Sequence, residues 1–333
     1  MNLRIIISLV LIVSFVTARG QDPIFSQPYT AAQFLSPASV GAGGYGSRVQ
    51  SNFRSQLIDG NSLYRTIAVG WDTRFQNEYA DNINYLGVGG QIISDQVMGG
   101  IMQTNYISAN VAYHIFIDEL SNKNFSLGMG LTFAQISLDK SKLRFGDQFD
   151  YAAMYTGNST LESLKPFPSK FSVNAGVLYS AHNEKMFFQV GANAFYYSKP
   201  DFTEFSFNQT SGLRATSFIN IEKSISESYS IALHGAFSNR NNNNQFYAGG
   251  FIGIPIVYQW DEIRRLYLGC FYRGGDAIIP SMSFLMNTYR LGFSYDIYNN
   301  TLSSASIRQS SFEITLSKSF GTKRNEFFRT IFD

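Results

Sequence analysis

The sequence predicts an all-β fold, a transmembrane antiparallel β-barrel of about 14 strands. Three observations predict it. Only 15% of the 333 residues are charged, against roughly 25% in soluble globular proteins, while 16% are aromatic. Bulky and small residues alternate with period two over most of the chain, as in strands with one bulky face. After the N-terminus, no uncharged apolar run approaches the roughly 18 residues of a transmembrane helix.

The composition also excludes several classes of function. The chain has 26 basic and 24 acidic residues, too even a balance for a protein that binds nucleic acid through a basic face. Its single cysteine, Cys270, excludes a disulfide framework and a zinc site built mainly from thiolates. The three histidines fall in separate regions, and no local signature of a catalytic nucleophile is present. We therefore expect no metal, no cofactor and no enzymatic activity.

The first 20 residues are typical of a cleaved signal peptide. Arg4 provides the positive charge, residues 5–16 an apolar stretch, and residues 18–20 a small-x-small cleavage site. The mature chain would begin at Gln21. Since the only cysteine is Cys270, we expect an exported protein without a lipid anchor.

The barrel is expected over residues 46–320. Alternation and turn clusters predict strands near residues 46–57, 63–75, 84–95, 103–118, 124–138, 169–181, 185–198, 212–223, 228–239, 245–258, 264–274, 277–285, 288–298 and 309–320. The longest connections, near residues 139–168, 199–211 and 299–308, follow odd-numbered strands. They would face the cell exterior if the N-terminus is periplasmic, since bacterial outer-membrane barrels combine short periplasmic turns with long outer loops.

A soluble β-sandwich is the alternative fold for alternating strands. It would have to bury a bulky aromatic face and cover its other face with too few charges. A barrel instead places the bulky face in lipid. Tyrosines near the strand ends, including Tyr85, Tyr113, Tyr247 and Tyr289, would then form the two interfacial belts. We therefore favour the barrel and predict that the protein lies in the outer membrane of a Gram-negative cell.

The opposite phase of the strands would face the lumen, where its charges become informative. The predicted lumen charges are Arg48, Arg54, Asp72, Arg74, Arg273, Arg290, Asp296 and Glu313. Because the first and last strands adjoin when a barrel closes, these charges gather in one sector, where arginines and carboxylates can form bidentate pairs. Two interpretations remain: the charges brace the seam and occlude the pore, or they form a polar path for a substrate.

A series of short motifs resembles the PorP/SprF family. These motifs are QDPIFSQPY at residues 21–29, LSPA at 35–38, NFRSQ at 52–56, GFSYDI at 292–297 and FEITL at 312–316. The family consists of outer-membrane proteins associated with the type IX secretion system and gliding motility. The chain departs from the family pattern at Ser36, where Asn is usual, and at Phe312, where His commonly precedes the glutamate.

The resemblance implies a barrel that helps to export a large adhesin and to hold it at the cell surface. The implied partners are this adhesin, through its C-terminal secretion domain, other type IX components including a ring lipoprotein, and outer-membrane lipid. The implied role is binding rather than catalysis. A structural role in the periplasmic ring or translocon, or passive transport of fatty-acid-type substrates, are the alternatives.

Both ends of the mature chain are expected on the periplasmic side. Residues 21–45 either contact the machinery or fold as a small plug, because their prolines make them irregular. The candidate partner-contact residues there are Gln21, Asp22, Pro23, Phe25, Gln27, Tyr29 and Pro37. Residues 321–333, which contain Lys323, Arg324 and Arg329, are expected to form a solvated periplasmic tail.

Overall fold

A computed structural model of the chain describes most of the mature sequence. The described residues are 23–76, 84–118, 122–145, 148–149, 169–197, 213–226, 229–240, 243–259, 262–299, 308–321 and 330–332. The predicted signal peptide lies outside the described residues. So do Gln21, Asp22 and the three basic residues of the tail.

Fourteen antiparallel strands close into one barrel. The strands are β1 (Ser47–Ile58), β2 (Asn61–Phe75), β3 (Tyr85–Val97), β4 (Met102–Phe116), β5 (Lys123–Leu138), β6 (Lys170–His182), β7 (Met186–Tyr197), β8 (Leu213–Ser224), β9 (Ser230–Arg240), β10 (Asn243–Gln259), β11 (Glu262–Arg273), β12 (Ala277–Met286), β13 (Tyr289–Tyr298) and β14 (Gln309–Phe320). Each strand pairs with its neighbours in the chain, and β1 pairs with β14 to close the sheet. The predicted fold class and strand number are confirmed.

The period-two pattern produces two different faces. In β5, the side chains of Leu127, Met129 and Leu131 are 49%, 62% and 61% exposed, whereas Gly128 and Gly130 between them face inward. In water, each exposed leucine or methionine would forgo roughly 1.5–3 kcal/mol of burial free energy. A lipid environment removes that penalty, so the outer face is a lipid-facing coat.

Five short helical turns accompany the strands within the described ranges. Their bounds are Pro28–Thr30, Ala32–Leu35, Pro37–Ser39, Met98–Gly100 and Lys140–Lys142. The longest has four residues, and none of those described has the length and apolar character needed to cross a membrane. The first three follow one another before β1. Prolines start two of them, where the missing N–H costs no helical bond.

The two rims of the barrel differ in their connections. One rim, here called the even rim, carries the connections after even-numbered strands, the start of β1 and the end of β14. The other, the odd rim, carries the connections after odd-numbered strands, including the long ones between β5 and β6 and between β7 and β8. Both ends of the barrel sheet therefore meet at the even rim.

Two of the tyrosines predicted for the interfacial belts lie inside the barrel instead. Tyr85 is 3% exposed and stacks on His114, with ring centroids 4.3 Å apart. Tyr247 is 6% exposed. Both belong to the inward phase of their strands, so nearness to a strand end was the wrong criterion for them. Tyr113 and Tyr289 do lie on the outer face, at 43% and 40% exposure.

Candidate functional site: a filled lumen and a rim cleft

The chain before β1 turns back into the barrel and fills much of its lumen. His114 of β4 donates a hydrogen bond to the Val40 carbonyl at 2.7 Å. Asn193 of β7 donates to the Leu35 carbonyl, also at 2.7 Å. Tyr247 of β10 donates to the Ser26 carbonyl at the same distance. Because these strands lie on different sides of the wall, the segment crosses the lumen, and we call residues 23–40 the plug.

Three of the predicted lumen charges meet where the barrel closes. Asp296 of β13 accepts hydrogen bonds through Oδ2 from Arg54 Nη2 at 3.0 Å and from Arg273 Nη2 at 2.8 Å. The three side chains are at most 7% exposed. Arg54 also donates through Nε to the Ser26 hydroxyl at 3.1 Å. This cluster, which we call the seam triad, therefore joins β1, β11 and β13 to the plug.

The side-chain carboxylate of Glu313, on β14, binds the backbone of the plug. Its Oε2 accepts a hydrogen bond from the Ser26 amide at 2.5 Å, and its Oε1 accepts one from Asn52 Nδ2 at 2.9 Å. Asn52 donates in turn to the Thr30 hydroxyl at 2.6 Å. A fully buried carboxylate is stable only with such partners. The plug thus provides one of the hydrogen bonds that stabilise the buried carboxylate of Glu313.

Arg48 and Asp72 form a separate pair near the even rim. Arg48 Nε and Nη2 lie 3.1 and 3.2 Å from the two Asp72 oxygens, a bidentate geometry. Asp72 also accepts a hydrogen bond from the Gly41 amide at 2.8 Å. Nearby, Arg74 donates to the Gly43 carbonyl at 3.3 Å. These side chains hold the chain where it leaves the plug.

Glycines of β3 and β5 give the plug room. A Cβ added to Gly128 would lie 2.3 Å from the Ala38 nitrogen, and one added to Gly87 would lie 2.1 Å from the Val40 oxygen. Real Cβ atoms do not approach backbone so closely. The strand glycines therefore mark close approach of backbone to backbone.

The described candidate partner-contact residues lie inside the barrel. Pro23, Phe25, Gln27, Tyr29 and Pro37 are all buried. Tyr29 donates to Gln27 Oε1 at 3.1 Å, and burial raises the pKa of its hydroxyl well above the ordinary value. With the plug in place, these side chains are not open to a second protein. Their role in partner contact remains a prediction.

The end of the chain also enters the lumen, which the sequence reasoning missed. Thr330, Ile331 and Phe332 are 1%, 0% and 8% exposed, so these three residues are buried rather than solvated as we expected. Arg290, another predicted lumen charge, donates a hydrogen bond to the Ile331 carbonyl. The signal for this burial was the apolar pair Ile331 and Phe332 in a tail that is otherwise rich in charge.

A cleft of about 520 Å³ opens at the odd rim. It is lined by Ser62, Leu63, Arg65, Gln96, Gly99, Gly100, Ile101, Gln103, Ser137, Leu138, Asp139 and Lys142. The outer face of β3 and β4 turns polar at this height. There, Gln103 donates to Ser94 Oγ and Asn105 Oδ1, both at 3.0 Å. These strands thus carry polar side chains above the apolar part of their outer face.

A closed barrel of this size with an apolar coat defines the class of the protein, an outer-membrane β-barrel. Residues 17–317 match the profile described as type IX secretion system membrane protein PorP/SprF. The chain therefore belongs to the PorP/SprF family, and the resemblance carried by its motifs is confirmed. No curated protein matches the chain.

Solved structures share the fold, among them TodX and CymD. The Pseudomonas putida toluene transporter TodX matches with a TM-score of 0.50 and 9% identity, over 88% of this chain and 94% of TodX. The CymD monoaromatic hydrocarbon channel matches with a TM-score of 0.50 and 10% identity, over 90% of this chain and 94% of CymD. At such low identity, the likeness concerns the fold alone.

Proposed function

We propose that this barrel supports type IX secretion by binding a large adhesin and anchoring it at the cell surface for gliding motility, without catalysis. Membership of the PorP/SprF family supports a role in type IX secretion. The observation that carries the binding mode is the filled lumen. Because the plug and residues 330–332 occupy it, a partner is more readily bound at a rim than passed through the barrel.

The odd rim is the surface we assign to the adhesin. With the even rim, where β1 begins and β14 ends, in the periplasm, the odd rim faces the exterior. The cleft there has a polar lining that includes Arg65 and Lys142. Such a surface fits a folded, polar domain such as the adhesin's C-terminal secretion domain. The ring lipoprotein and other secretion components would then contact the even rim.

Deletion of the gene tests the cellular role. We expect cells without the protein to lose the surface adhesin while other type IX clients still leave the cell. Labelled antibody on intact cells and proteomics of the medium measure the two outcomes. Loss of every client would instead identify a structural component of the ring or translocon, and unaltered adhesin display would exclude both roles.

A charge reversal in the cleft tests the assigned surface. Arg65 is exposed on the outer face of β2 and lines the cleft, so Arg65→Glu should reduce adhesin display several-fold. The matched control is Arg65→Lys, which keeps the positive charge at the same position. Both barrels should still migrate faster on unheated denaturing gels. Equal adhesin display in the two variants would show that the adhesin does not bind at the cleft.

Conductance tests the transporter alternative. A barrel filled by its own chain should show no steady pore in planar bilayers and no uptake of fatty-acid-type solutes by vesicles. Deleting residues 21–40 should open a conductance in the same assay, which shows that the assay can detect a pore. Steady conductance of the full chain would favour transport over anchoring.

A further inference from the structure

We infer that the mouth of the barrel at the even rim is a binding site for an extended peptide, which the chain fills with its own residues 330–332. This site is separate from the odd-rim cleft and goes beyond the proposed anchoring of an adhesin. Its ligand class is a peptide with an aliphatic residue followed by an aromatic one. The barrel binds both the backbone of Ile331 and the side chain of Phe332.

The backbone of Ile331 is bound on both sides. Its amide donates to Glu222 Oε2 at 2.8 Å, and its carbonyl accepts from Arg290. The other oxygen of Glu222 accepts from the Ser230 hydroxyl at 2.9 Å and from the Tyr267 hydroxyl at 2.8 Å. A carboxylate fixed by two hydroxyls therefore presents its remaining oxygen to a peptide amide. Arg290 of β13, five strands away from β8 in sheet order, binds the carbonyl of the same residue.

Aromatic rings bind the side chain that follows. The Phe332 ring centroid lies 5.8 Å from that of Tyr29, 6.2 Å from that of Phe187 and 6.3 Å from that of His234. Edge-to-face and offset contacts in this range stabilise aromatic pairs by about 0.5–1.5 kcal/mol beyond burial. The Tyr29 contact is edge-on, at 90° between ring planes. The pocket is therefore built from both the wall and the plug.

The residues that bind Ile331 and Phe332 lie near strand ends, so the site is at the mouth of the barrel and not deep inside it. Glu222 is near the end of β8, and Ser230 begins β9. Phe187 and Arg290 are each the second residue of their strands, β7 and β13. All four strand ends face the even rim. A peptide from the periplasm could therefore reach the site without passing the plug.

Binding in cis explains why the site is occupied by the chain itself. A tethered segment acts at an effective concentration in the millimolar range. A peptide of the same kind from another protein displaces residues 330–332 only if it binds the site tightly or is itself held near the barrel. The proposed trans ligand is an extended peptide like Ile331–Phe332 within a periplasmic partner.

A peptide competition experiment tests the site directly. The probe is a fluorescent peptide with the sequence of residues 326–333, and the receptors are the full chain and a chain that ends at Arg329. For a peptide with a dissociation constant of about 10 µM, removal of the tail should raise the apparent affinity by about 100-fold. Glu222→Ala in the shortened chain should abolish this gain, whereas Lys223→Ala, whose side chain is exposed beside it, should not.

The proposal would be overturned if the peptide bound the shortened chain no more tightly than it binds the full chain. It would also be overturned if the shortened chain bound the peptide equally well with and without Glu222→Ala. A peptide with both Ile331 and Phe332 replaced by alanine is the ligand control. Faster migration on unheated gels shows that each receptor is folded.

A second measurement uses the full chain and does not require truncation. In the folded barrel, carboxypeptidase should stop before Phe332, because Ile331 and Phe332 are buried. Mass spectrometry should show release of these residues at least tenfold faster in Glu222→Ala than in Lys223→Ala. Equal release rates in the two variants, or rapid release from the unmodified chain, would contradict binding of the tail in the mouth.

Discussion

The plug is held by charge at the seam and by shape against β3 and β5, here called the seam side and the glycine side. On the seam side, Arg54 and Glu313 bond to Ser26. On the glycine side, Gly128 and Gly87 admit the backbone of Ala38 and Val40. The seam side should therefore lose stability when a charged partner is removed, and the glycine side when an atom is added. Three variants test this difference.

The largest effect is expected from Asp296→Ala on the seam side. This change leaves Arg54 and Arg273 buried without their shared carboxylate, and breaking a buried pair in this way costs about 3–5 kcal/mol. Urea unfolding of the barrel in detergent measures the loss. Asp139→Asn is the control, because Asp139 and its partner Lys142 are both exposed, and the change should cost under about 1 kcal/mol. Similar losses of unfolding free energy in the two variants would show that the seam triad stabilises the barrel no more than an exposed ion pair does.

A smaller effect is expected from Gly128→Ala on the glycine side. The added methyl group would meet the Ala38 backbone at 2.3 Å, and overpacking of this kind typically costs about 1–3 kcal/mol. Gly44→Ala is the matched control, since an added Cβ there has open space within 4 Å. Thermal unfolding followed by gel migration compares them. If Gly128→Ala is as stable as Gly44→Ala, the plug does not depend on shape at this point.

The smallest effect is expected from Tyr29→Phe, within the plug itself. Loss of the hydrogen bond to Gln27 should cost about 1 kcal/mol at pH 7. Because burial raises the pKa of Tyr29, its hydroxyl stabilises the fold below about pH 10 and loses that contribution as the pH rises further. By pH 11 the wild type should have lost about 1.4 kcal/mol that the variant keeps. Urea midpoints at both pH values measure this, and a constant difference would contradict it.

Much of the barrel could be predicted from the sequence because its signal is local. In β5, the alternation of Leu127, Met129 and Leu131 with small residues sets both the strand and its lipid-facing side. The plug has no such period. Its prolines indicated only an irregular segment, while its hydrogen-bond partners are as far as 288 residues away, as between Gln27 and Thr315. Burial of the plug therefore depends on contacts that no local pattern contains.

The seam charges show a second limit of the sequence. Arg48 lies directly opposite Asp72 in the register and pairs with it, so that pair follows from the strand order. Arg54 lies directly opposite Glu313 but binds Asp296 on the next strand. Glu313 is instead bonded to Asn52 and to the plug. The plug thus redirects the pairing, which alternation alone could not reveal.

The last strand has a consequence for how the molecule folds. β14 provides both the partner that closes the sheet against β1 and the carboxylate that binds Ser26. A chain that still lacks β14 can therefore neither close its barrel nor complete the seam contacts of its plug. Contacts of such high sequence separation form slowly. Closing and filling are expected to occur together, late in folding, once almost the whole chain has reached the membrane.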